Sequence, residues 1–103
     1  PKIIPLRAAP GYDTAEEDPD PRGKPVEALD GKIAGTCVDL WVDKSEALFR
    51  YLEVELAGSG RRILVPMFLA TFNKSGRVRV VSVTSEQMAA APAIRDAETI
   101  TLL

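Results

Sequence analysis

Ile33-Ala34-Gly35-Thr36-Cys37-Val38-Asp39-Leu40-Trp41-Val42-Asp43, followed after a short break by Arg50-Tyr51-Leu52-Glu53-Val54-Glu55-Leu56, is the stretch whose reading decides the fold. Successive side chains of an extended chain point to opposite faces. Val38, Leu40 and Val42 therefore share one face, and Asp39, Trp41 and Asp43 share the other. The second run repeats the pattern, with Leu52, Val54 and Leu56 inward and Glu53 and Glu55 directed to solvent. This period of two marks half-buried β-strands. Gly58-Ser59-Gly60 supplies the permissive backbone of a hairpin turn. Arg61 to Met67 then returns as a third strand, and Pro66 places it at an edge or a bulge.

Downstream, Phe68 to Phe72 continues or rejoins the sheet, and Asn73-Lys74-Ser75-Gly76 is a second turn signal. Arg77 to Val83 is strongly β, and the change of apolar parity between Val80 and Val81 points to a bulge. Thr84-Ser85-Glu86-Gln87 reads as a helix start with Thr84 or Ser85 as N-cap. That helix is short, near residues 85–91, because Ala89-Ala90-Ala91 runs into Pro92. Glu98 to Leu103 is a last candidate strand. Upstream, Ile3, Ile4 and Leu6 surround Pro5, which confines them to an edge strand or an extended arm. Residues 10–30 combine Asp13, Glu16, Glu17, Asp18 and Asp20 with four prolines and read as a solvated loop. The expected organisation is one domain, with an arm and acidic Pro-rich loop over residues 1–30 and a β-domain over 31–103. Several short strands with close turn signals favour a small barrel or sandwich.

Composition narrows the function classes. With 103 residues, one domain with a small core is expected. The formal charge of −2 gives no general attraction to nucleic acid. There is no His, so neither a Ser-His-Asp nor a Cys-His arrangement is possible. Cys37 has no disulfide partner, suits a reducing compartment, and reads as a small packing residue at mid-strand. No spacing offers a metal site or a phosphate-cradling loop. The longest apolar stretch, Ile63 to Ala70, is interrupted by Pro66 and falls well short of the roughly 18 residues that span a bilayer. No leader pattern opens the chain, which reads as a soluble, non-enzymatic piece cut from something longer.

One constellation carries possible chemistry. Asp39 and Asp43 share a strand face, about 13 Å apart by strand rise. Glu46 and Arg50 fall in or after the turn that ends this strand. Clustered carboxylates raise one another's proton affinity, and Arg50 would moderate their repulsion.

The segments 33–43 and 52–56, with Leu64-Val65-Pro66-Met67, Ala91-Pro92-Ala93-Ile94, Thr99-Ile100-Thr101-Leu102-Leu103 and the opening Lys2 to Ala9, resemble the cytoplasmic domain of H subunits from purple-bacterial photosynthetic reaction centres. The resemblance covers nearly the whole chain. It implies a mainly β fold, a small PRC-barrel-like antiparallel β-barrel. It implies a non-catalytic domain at the cytoplasmic face of the photosynthetic membrane, capping the L and M subunits. Bacteriochlorophyll, bacteriopheophytin and quinone would belong to those partners, with no cofactor or metal in this domain. Asp43, Glu46 and Arg50 match positions near the secondary quinone on the proton route, with Asp39 beside them. The family's membrane helix and its surface histidines would lie upstream of this chain. A further helix would follow Leu103, and the acidic loop is more charged than the family pattern. The alternative is a PRC-barrel adaptor that binds another protein or RNA, as in ribosome-maturation factors. Arg61, Arg62, Arg77 and Arg79, expected on neighbouring strands, would form its basic strip.

Overall fold

The structure, a computed structural model, describes residues 2–15 and 19–94. Its elements are β1 (Ile3–Pro5), a 3-10 turn (Leu6–Ala8), β2 (Pro25–Glu27), β3 (Ile33–Asp43), β4 (Leu48–Leu56), β5 (Arg62–Pro66), a second 3-10 turn (Met67–Leu69), β6 (Ala70–Phe72), β7 (Val78–Val80) and α1 (Ser85–Ala89). The strands form one sheet in the order β5-β4-β3-β2-β7-β6. β2 pairs with the first residues of β3, and β1 with its last three. The fold is mainly β with one short helix, as the alternation predicts. The sheet is mixed rather than wholly antiparallel, because β2 and β7 run parallel, and among the described residues it does not close on itself.

Alternation places Leu52, Val54 and Leu56 in the core beside Leu40 and Val42. Each such side chain, fully buried, stabilises the fold by about 1.5–3 kcal/mol. Val38 departs from the expected face. Cys37 pairs with Val54 and Asp39 with the next residue of β4, Glu53, so Val38 is an extra, bulged residue. The bulge brings Cys37 into the core and leaves Val38 half-buried. A second bulge faces the other way: Trp41 pairs with Tyr51 and Val42 with Phe49, leaving Arg50 as the extra residue on β4.

The expected β4–β5 hairpin forms, with Gly58 and Gly60 at positive φ. Pro66 ends β5, whose only strand neighbour among the described residues is β4. The parity change at Val80/Val81 is the end of β7, not a bulge. Val80 is buried and Val81 already lies in a turn, exposed. Thr84 caps α1: its hydroxyl accepts from the Gln87 backbone N–H, and the Gln87 side chain accepts from the Thr84 N–H. Met88 seats the helix on the core. Pro25–Glu27, within the stretch read as loop, is a strand. Pro25 stands at its first residue, where a missing donor is tolerated. The candidate strand Glu98–Leu103 lies outside the described residues. Among the described residues, no helix is long and apolar enough to cross a membrane.

Candidate functional site

Two ion-paired clusters lie along the Asp39–Trp41–Asp43 face of β3. The first is at the turn joining β3 to β4. Asp43 ends β3, and its Oδ1 accepts from the Ser45 hydroxyl at 2.6 Å and the Ser45 backbone N–H at 3.0 Å. Arg50 reaches back from its bulge, with Nε 3.4 Å from Asp43 Oδ2 and Nη2 against Glu46 Oε2. The turn closes through Ala47 in the left-handed region, φ 54°. A non-glycine residue enters that region at a cost, so the turn is held by its side-chain contacts. The Ser45 hydroxyl, ahead of the backbone donors and Arg50, holds the Asp43 carboxyl below its ordinary range even though burial pushes it up.

The second cluster was not legible in the alternation. Glu53, expected to face solvent, is fully buried. Its Oε1 accepts from Arg7 Nη1 at 2.8 Å and from the Trp41 indole N–H at 2.7 Å, and its Oε2 accepts from Arg62 Nη1 at 2.9 Å. Arg7 Nη1 also donates to Asp39 Oδ2 at 2.9 Å. Burial pushes the Glu53 carboxyl up, but the hydrogen bonds from Arg7, Trp41 and Arg62 outweigh it and hold Glu53 below its ordinary value. The correction has a simple cause. β1 extends the sheet beside β3, and from the 3-10 turn after it Arg7 reaches over Asp39 and Glu53, while Arg62 closes on Glu53 from β5.

Of the four acidic and basic residues singled out in the sequence, Asp43, Glu46 and Arg50 come together, while Asp39 joins Arg7 in the second cluster. Arg7 and Glu53 were missed. A Glu flanked by inward-facing Leu52 and Val54, opposite an Asp and a Trp, was the available signal.

The four arginines do not form one strip. β5, which opens at Arg62 directly after Arg61, is separated from β7 by β4, β3 and β2. Arg61 donates to the carbonyls of Ala89 and Ala91, Arg62 pairs with Glu53 and Glu55, and Arg77 pairs with Glu27. Cys37 is buried, and desolvation pushes its thiol up to about 12, which suits packing and not nucleophilic attack. Among the described residues, no group of three or more His, Cys, Asp or Glu is placed to hold a metal ion. A surface groove lined by Glu27, Thr71, Phe72, Asn73, Arg77 and Arg79 offers about 260 Å³, below the roughly 300–1,000 Å³ of ordinary small-molecule pockets.

A mainly β sheet with one short helix packed on its core, whose ion-paired clusters stand at the β3–β4 turn and across the middle of the same two strands, defines a small β-barrel-type domain. Residues 13–88 match the PRC-barrel domain family, and the chain belongs to that family.

Proposed function

We propose that this chain is the cytoplasmic domain of a photosynthetic reaction-centre H subunit. It caps the L and M subunits at the cytoplasmic face of the photosynthetic membrane and lends carboxylates to proton delivery toward the secondary quinone. Membership of the PRC-barrel family and the resemblance along nearly the whole chain support this reading. The observation that carries it is the Asp43–Arg50–Glu46 cluster, in which one guanidinium stands between two carboxylates.

That arrangement suits a relay. A proton arriving at Glu46 weakens its pair with Arg50 and leaves the guanidinium to Asp43. A proton on Asp43 does the reverse. In the chain alone, Ser45 and Arg50 keep Asp43 ionised at neutral pH. Desolvation against the membrane subunits would raise its proton affinity toward the working range. Chlorophylls, pheophytins and quinone remain with the partners. Glu46→Gln in the intact complex should slow proton uptake linked to the second reduction of the quinone. Unchanged uptake kinetics would remove this cluster from the route.

A further inference from the structure

The segment 2–9 has little ladder to hold it. β1 is three residues long and ends in a proline, yet Ile3, Ile4, Pro5, Leu6 and Ala9 are all buried. Its register is defined: Ile3 opposite Asp43, Ile4 opposite Val42, Pro5 opposite Trp41. The pairing runs one step beyond β3 into the turn, where the Lys44 N–H donates to the Lys2 carbonyl at 2.8 Å. Four residues after Ile3, Arg7 grips the sheet. Its backbone N–H lies 3.3 Å from Asp39 Oδ2, and its Nη1 reaches both Asp39 and Glu53. The two acceptors come from adjacent strands, β3 and β4, which are paired at these residues. The guanidinium therefore locks the arm to the same two strands that the Asp43–Glu46–Arg50 turn connects.

We propose that Arg7 is a positioning residue: by clamping residues 2–9 onto the buried carboxylates of Asp39 and Glu53, it fixes the turn over residues 44–47 that presents Asp43, Glu46 and Arg50. The link is contiguous, from Arg7 through β1 to the Lys2–Lys44 hydrogen bond and so to the first residue after Asp43. As a role in proton transfer it rests on the reaction-centre reading. As a mechanical statement about this chain it does not.

The test uses the 103-residue chain alone. Arg7→Met keeps much of the side chain's apolar stem and removes the charge, and Arg7→Lys keeps the charge without the planar fork. In Arg7→Met, exchange of the Lys44 amide should accelerate about tenfold or more while the Asn73 amide of the β6–β7 hairpin stays within about twofold. The Asp43 carboxyl, followed by carbon NMR, should titrate closer to an ordinary aspartate as its contact with Ser45 loosens. Arg7→Lys should restore both readings in part. Should Arg7→Met fail to fold, Asp39→Asn carries the test, since Glu53 then keeps Arg7, Arg62 and Trp41; it should give the same changes in smaller measure. Unchanged Lys44 exchange and an unchanged Asp43 titration in the folded variant would overturn the proposal. A failure here leaves the reaction-centre reading standing, and a null result with Glu46→Gln leaves the role of Arg7 standing.

Discussion

Replacing Glu53 tests the energetic meaning of a fully buried carboxylate. In Glu53→Gln the remaining oxygen can keep Arg7 and Trp41, while the new amide N–H₂ faces the N–H groups of Arg62. The charge is lost from contacts to two arginines, whose side chains are 35% and 46% exposed. Charge-assisted hydrogen bonds contribute about 1.5–3 kcal/mol against about 0.5–1.5 kcal/mol for neutral ones, and partial exposure discounts the difference. The expected loss is about 1–2 kcal/mol, a fall in Tm of about 5–15 °C for a domain of this size. Glu53→Ala additionally leaves the buried Trp41 N–H without its acceptor and opens a cavity, so it should cost about 3 kcal/mol or more. Trp41 is the single tryptophan and touches Glu53 directly, so denaturant titrations read by its fluorescence report on the site itself. The pH dependence has a definite sign. Glu53 is held below its ordinary value of 4.5, so its contribution is fully present above that pH. It is lost as pH falls through the depressed folded value. The gap between wild type and Glu53→Gln should therefore close in acid. A Gln variant within about 0.5 kcal/mol of wild type at neutral pH would refute the claim that the ionised carboxylate holds this face together.

Gly35→Ala should be strongly destabilising, by about 3 kcal/mol, because an added Cβ would sit 2.2 Å from the Glu55 carbonyl oxygen of the paired strand; a thermal melt checks it. Thr84→Ala removes the cap of α1 and should cost about 1 kcal/mol, measured by denaturant unfolding, with Thr84→Ser recovering most of it. The Cys37 thiol should resist an aromatic disulfide reagent in the native state and react only as the chain unfolds; rapid labelling of the folded protein would contradict its burial.

Some of these features were decided within a few residues of chain, and there the amino-acid order sufficed. Leu52, Val54 and Leu56 alternate regularly, Gly58 and Gly60 adopt the positive φ that a tight hairpin needs, and Thr84 finds Gln87 three residues on. Asp43, Glu46 and Arg50 also meet through local geometry, because one turn and a bulge bring them together. The rest required distant partners. Alternation states which face a side chain takes, but not whether another segment covers that face. The segment that buries Glu53 carries Arg7, 46 positions away, and the same arginine draws Asp39 out of the Asp43 cluster. The Val38 bulge is likewise a matter of matching β3 against β4, and one extra residue turns its neighbours to the other face. The parallel pairing of β2 with β7 joins strands more than 50 residues apart, which no local pattern encodes. Sequence determined the β class, the turns and the acidic turn at the end of β3; tertiary contact decided which charges are buried, because desolvation is a property of what packs on a residue and not of its neighbours in the chain.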